Sequence, residues 1–194
     1  MVIKRPASVV SGILTSSKAL LEVHTGEGAA MAELVYQAAR REAQDLLNTC
    51  WDGRYPVRLR PFNDELNAEA YAADLGNDLS GVVSKAEGRP ARIVLNSRHV
   101  ERRNRFTWAH ELGHVVERKS IAKDSDYSFE DARGQKYDLH EFFADEFAGA
   151  LLMPEEELNR LKQEGYSPTQ MAGRFDVSVD AVNKRIQRLA KNPQ

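Results

Sequence analysis

The chain has 194 residues, 42% of them hydrophobic, which is enough to bury a core of its own. Its formal net charge of -2 excludes a generally basic surface of the kind that holds nucleic acid or anionic membrane nonspecifically, and leaves only a local basic face open. The single cysteine, Cys50, excludes a disulfide framework or a cysteine-rich zinc site made from this chain alone, and favours a reducing cytoplasm.

Residues 1–28 start with basic and apolar residues, but Ser, Gly, Thr and Lys18 interrupt any run long enough for a signal peptide or membrane span. They read as a soluble extension ending in His24-Thr-Gly-Glu-Gly28, either a mobile arm or an upstream addition with Met31 as the natural start. From Ala29 to Leu47, Met31, Leu34, Val35, Ala38, Ala39, Ala43, Leu46 and Leu47 recur at helical spacing opposite Arg40, Arg41, Glu42 and Asp45. After Tyr55-Pro56, Val57 to Leu59 reads as a short strand. Asn63 or Asp64 then suits the N-cap of a second helix running through alanines and leucines to Leu75, with Gly76 as its stop. Leu79 to Ser84 and Ala91 to Leu95 are rich in Val, Ile and Leu and flank turn residues Glu87 to Pro90, so they predict a hairpin. A helix from Asn104 to Glu117 follows, with Phe106, Ala109, Leu112, Gly113 and Val116 on one stripe. Arg118 to Tyr137 is polar and acid-rich and reads as a loop. Asp138 can cap the next helix, which carries Phe143, Phe147, Ala150 and Leu151 and ends before Pro154; residues 154–194 are helical by pattern, with stops at Gly165 and Asp176. The fold expected is α+β, mostly helical with a small sheet.

The stretch FTWAHELGHVV, Phe106 to Val116, holds two of the five histidines. Residues four apart on a helix lie about 40° apart around its axis and one turn along, so His110 and His114 can offer nitrogens to one ion. Zinc in a hydrolytic site keeps three protein ligands plus a water whose pKa it lowers, and a neighbouring carboxylate takes that water's proton; Glu111 is placed for this role. No further histidine follows closely enough to be the third ligand, which must come from another element. If His140 to Pro154 is helical, Glu141 and Asp145 share one face, so that Glu141 completes a zinc site and Asp145 accepts the other ring N–H of a ligating histidine. Ala144, Ala148 and Gly113 allow the two helices to approach. The competing reading makes Asp138 and Glu141 a helix-start capping box with Asp145 merely solvated.

RFTWAHELGHVV followed by EFFADEFAGALLMP, Arg105 to Pro154, resembles the ImmA/IrrE family of cytoplasmic metallopeptidases, which typically shows F-T-x-A-H-E-x-G-H and then E-x-x-A-N-x-F-A-x-x-L-L-M-P. The resemblance implies a minimal gluzincin-like fold, Zn2+ held by His110, His114 and Glu141, and Glu111 as catalytic base. It departs at Asp145, where the family usually has Asn; aspartate can still accept a histidine N–H. Family members are known for cleaving a partner helix-turn-helix repressor, which makes such a protein the expected substrate, in a stress-response or mobile-element switch. An oxyanion stabiliser is not evident: Tyr127, Tyr137, His140, Arg102, Arg103 and Arg105 are the candidates. His24 and His99 read as exposed histidines, and Trp108 as a packing residue.

In SPTQMAGRFDVSVDAVNKRIQRLAK, Ser167-Pro168 starts one helix, Ser178 caps the next, and Ala181, Val182, Ile186 and Leu189 form a buried stripe, which is helix-turn-helix patterning. Lys184, Arg185, Arg188 and Lys191 would be the residues to meet DNA. The favoured reading packs this segment on the peptidase instead, giving three parts: an extension at 1–28, a metallopeptidase domain at 29–153 and a C-terminal helical segment at 154–194. The alternative function is a DNA-binding or protein-binding regulator whose metal site is structural or vestigial.

Overall fold

The first apolar stripe folds as helix α1, Val35–Cys50, in a computed structural model that describes residues 20–23, 31–132 and 138–193. Val35, Ala38, Ala39, Ala43 and Leu47 are the buried face of α1. The helix begins six residues later than the periodicity suggests, because Met31–Leu34 is strand β2 and pairs antiparallel with β1, Leu20–Val23. Most of the 1–28 extension, His24 included, lies outside the described residues, as does Tyr137.

Between α1 and the hairpin the structure departs from the expected elements. Val57 to Leu59 form no strand; Val57 and Leu59 are buried in the core instead. The expected second helix is only a short one, α2, Arg60–Glu65, starting with a proline in its first turn. Asn67 then takes a left-handed conformation, φ 49°, and residues Ala68–Ala73 continue as strand β3. Alanine's helix preference is overridden here by pairing: β3 runs parallel to β5, with Ala70 opposite Ile93 and Ala72 opposite Leu95. Gly76 stops no helix; it sits, with φ 77°, in the turn before β4.

The predicted hairpin is present as β4, Leu79–Lys85, and β5, Ala91–Asn96, with Val83 opposite Ile93. Part of the expected loop is also ordered. The α3 helix, Glu101–Val116, continues into a π-helical turn, Glu117–Ala122, and Tyr127–Ala132 is strand β6, antiparallel to β4. Among the described residues the larger sheet therefore has the order β3-β5-β4-β6, with β6 at one edge.

Helix α4, Leu139–Leu152, packs between α1 and α3. Its Phe143, Phe147, Leu151 and Leu152 are fully buried with Leu112 of α3, and truncating one such phenylalanine to alanine costs about 3–5 kcal/mol. Three helices complete the chain: α5, Glu155–Gln163; α6, Pro168–Phe175; and α7, Val179–Lys191. Ser167 caps α6 in a reciprocal box with Gln170, Ser178 caps α7, and Asp176 turns the chain between them with φ 54°. Among the described residues no helix is long and apolar enough to cross a membrane.

Candidate metal centre

The inner face of α3 carries His110 and His114 one turn apart, with their Nε2 atoms 3.1 Å from each other. Glu141 comes to them from the first turn of α4. Asp138 caps that helix by accepting from the backbone N–H groups of His140 and Glu141, at 2.9 and 3.1 Å. The cap and the site thus coexist: the Glu141 carboxylate faces the histidines, with one oxygen 3.3 Å from His110 Nε2 and the other 3.5 Å from His114 Nε2. A close helix contact makes this possible. A Cβ added to Gly113 would stand 2.8 Å from the Cα of Ala144, so the absence of a side chain there lets the helices meet.

The three donors fit a metal. Their ligand atoms lie within 4.8 Å of one another, and all three residues are buried. A tetrahedral zinc bound at about 2.0–2.1 Å would set its donor atoms about 3.3 Å apart, close to the 3.1, 3.3 and 3.5 Å separations present. Two neutral imidazoles and a carboxylate are also a donor set that zinc favours. Asp145, one turn after Glu141, brings Oδ1 to 3.1 Å from His110 Nδ1, the position from which a carboxylate fixes the tautomer of a ligating histidine.

The charges of this cluster pull against one another. Burial pushes Glu111 up to about 8, and the nearby Asp131 and Glu141 add to the effect against the opposing pull of His110. Burial disfavours a proton on His110 too, yet the carboxylates of Asp145 and Glu141 outweigh it and hold that imidazole well above its ordinary value. His114 is shifted down, chiefly by burial. Glu141 is held well below the usual carboxylate range, its burial outweighed by contacts with both histidines. A cation among the three donors would replace the proton on His110 and draw Glu111 back towards its carboxylate form.

Glu111 is 0% exposed, and among the described residues neither of its carboxylate oxygens has a hydrogen-bond partner. A buried, unsatisfied acid is costly, which makes it a candidate for a reacting group rather than a packing one. It lies under β4, where a Cβ on Gly81 would come 2.5 Å from Glu111 Oε1 and 2.6 Å from Thr107 Cγ2. Beside it a cleft of about 230 Å3 opens between α3, α4 and β6, lined by Thr107, His110, Asp131, Glu141 and Asp145 among others. From β6, Phe129 stacks on His114 with centroids 4.4 Å apart and planes within 4°. The local pattern of the acid-rich stretch marks neither Phe129 nor Asp131 as a neighbour of the site; the pairing of β6 with β4 brings them there.

Most of the oxyanion candidates are engaged elsewhere. Arg102 pairs with Asp176 at 3.0 Å, Arg103 donates to Ser80 Oγ, and Arg105 donates to the Val57 carbonyl. His140 Nδ1 is 2.6 Å from Glu117 Oε1. Tyr127 has a buried hydroxyl without a hydrogen-bond partner among the described residues, and burial pushes it up to about 12. His99 is half-buried, not an exposed histidine. Trp108 packs against the core and donates to Asn63 at 2.9 Å.

The basic face expected on α7 is partly spent inside the protein. Arg185 is buried and donates to Glu146 of α4 at 2.6 Å, while Arg188 pairs with Asp145 at 2.7 Å. Lys184 and Lys191 are the exposed members, and Lys184 pairs with Asp180 at 3.0 Å.

Comparison with known proteins gives one family. The family model Peptidase_M78, described as an IrrE N-terminal-like domain, matches residues 58–187. No curated protein matches the chain.

Proposed function

The chain belongs to the Peptidase_M78 family, metallopeptidase-like proteins, and from that premise we propose that it is a zinc endopeptidase cutting a regulatory protein. The observation that carries the reading is the buried triangle of His110, His114 and Glu141 beside the carboxylate of Glu111, which has no hydrogen-bond partner among the described residues. We place the metallopeptidase unit at residues 29–153 with a gluzincin-like arrangement, and residues 154–194 as a helix-turn-helix-like segment packed on it. The cytoplasm is the proposed compartment, on the strength of the single cysteine.

In the mechanism proposed, His110 Nε2, His114 Nε2 and one Glu141 oxygen hold zinc, which when bound supplies Lewis acidity to the scissile carbonyl and to a water. Glu111 takes the proton of the attacking water and passes it to the departing amine. Asp145 accepts the Nδ1–H of His110 and so leaves the Nε2 lone pair directed at the site. Phe129 against the ring of His114 fixes that second imidazole. An extended substrate segment would lie along β6, an edge strand whose Asp131 and Ala132 border the cleft.

For substrate we propose a helix-turn-helix repressor, following the resemblance of Arg105 to Pro154 to the ImmA/IrrE family. The alternative, a DNA-binding regulator, is weakened by the engagement of Arg185 and Arg188 with α4. The test is cleavage of repressors of this class by zinc-loaded wild type and Glu111→Gln. Zinc-dependent cleavage by wild type and none by the variant supports the proposal; equal cleavage by the two ends the assigned role of Glu111.

A further inference from the structure

We propose that Arg188, on the C-terminal helix, is a positioning residue of the metal centre: it holds Asp145 as a charge-compensated acceptor for His110. The inference rests on the metallopeptidase reading above and extends it to a residue outside the two motif helices.

The two oxygens of Asp145 have different partners. Oδ1 lies 3.1 Å from His110 Nδ1, and Oδ2 accepts from Arg188 Nη2 at 2.7 Å. The three residues therefore form a continuous chain from α7, through α4, to a nitrogen ring of α3. Arg188 is itself held. Its guanidinium lies 5.4 Å over the Phe142 ring, and its Nη1 is 3.5 Å from Glu146 Oε2. Glu146 is fully buried and anchored by Arg40 of α1 at 2.7 Å and by Arg185 of α7 at 2.6 Å. A planar guanidinium between two successive acids of α4 is the geometry for which arginine suits better than lysine.

The departure at Asp145 gives this contact its meaning. Asparagine, usual in the ImmA/IrrE pattern, accepts a histidine N–H without bringing charge; aspartate brings a negative charge that a neighbouring cation can cancel. Asp145 and Arg188 are 27% and 24% exposed, so an ordinary ion pair at this depth would be worth little to stability by itself. Its value lies in orientation. Without Arg188 the Asp145 carboxylate loses the charged donor on its Oδ2, and its hold on the ring and tautomer of His110 weakens. Losing such an outer partner typically weakens metal binding by about 10–100-fold.

The experiment measures the Zn2+ affinity of the full chain by competition with a chromophoric chelator, for wild type, Arg188→Met, Asp145→Asn and the double variant, with a thermal melt of each metal-free protein. Each single change is expected to weaken zinc binding by about tenfold or more. The double variant, where an uncharged acceptor faces no surplus cation, is expected to bind more tightly than either single one. A purely structural role for Arg188 predicts the opposite pattern: effects that follow the melting temperatures and multiply in the double variant. Wild-type affinity in Arg188→Met, or multiplicative losses, overturns the inference. Should Arg188→Met fail to fold, Arg188→Gln, which keeps a donor and loses the charge, is expected to lose affinity similarly, and wild-type affinity there overturns it equally. Failure of wild type to bind zinc overturns the metallopeptidase reading itself, an outcome distinct from unaltered binding by the arginine variants.

Discussion

Gly81→Ala should disable the site without touching any proposed metal ligand. The added Cβ would lie 2.5 Å from Glu111 Oε1, 3.3 Å from its Cδ and 2.6 Å from Thr107 Cγ2. Ordinary contacts between such atoms are about 3.5–4.0 Å, so the Glu111 carboxylate must move by about 1 Å. Glu111 is 0% exposed and lies under β4, so the movement displaces it from where it would meet a reacting water. A misplacement of about 1 Å costs about a hundredfold in rate, or ~2.7 kcal/mol of activation free energy. Overpacking of this kind also destabilises a fold by about 1–3 kcal/mol, well short of what unfolds most domains. The assay is zinc-dependent hydrolysis of a quenched-fluorescent peptide pool by wild type and Gly81→Ala, with zinc content and urea unfolding of both. Retained zinc with a rate about a hundredfold lower is expected. An unchanged rate in a folded, zinc-loaded variant refutes the placement of Glu111 as the base.

Gly113→Ala tests the helix contact in a different way: its Cβ would stand 2.8 Å from the Ala144 backbone, so α3 and α4 must separate. Because the proposed ligands sit on both helices, the variant should lose about 1–3 kcal/mol of stability and weaken zinc binding together, as read by urea unfolding and chelator competition. Metal binding should also release protons. In the metal-free protein burial raises Glu111 to about 8, and the carboxylates of Asp145 and Glu141 raise His110 well above its ordinary value, so both groups favour their protons near neutrality. Zinc displaces at least one of these protons, so calorimetry in buffers of different ionisation enthalpy should register net release. Apparent affinity should rise as pH climbs from about 5 to 8. A pH-independent affinity with no proton release contradicts this assignment.

What could be seen in the sequence was what local pattern controls. The i, i+4 histidines, the Asp138 cap, the shared face of Glu141 and Asp145, and the small residues at Gly113 and Ala144 each follow from helical spacing or side-chain size, and the structure brings them together. The β4–β5 hairpin was readable for the same reason, an apolar run on each side of turn residues. The elements missed depend on partners far along the chain. The alanine-rich stretch after Asn67 is a strand only because β5 is there to pair with it, and the acid-rich Tyr127–Ala132 is a strand only through β4. Phe129 and Asp131 reach the site by the pairing of β6 with β4, so no periodicity announces them, whereas Gly81 lies in a strand of the readable hairpin. Arg185 and Arg188 looked like a basic surface because their spacing matches a solvated helix face as well as it matches a face lying against Glu146 and Asp145.

The central claim is that His110, His114 and Glu141 hold a metal while Glu111 does not. Elemental analysis of the purified protein tests this most directly, on wild type beside His114→Ala, Glu141→Ala and Glu111→Gln, each prepared without added metal and again after zinc loading and dialysis. Near-stoichiometric zinc in wild type and Glu111→Gln, with little in the other two, is the result predicted. Wild type that takes up no zinc, or Glu141→Ala that retains it as wild type does, contradicts the account.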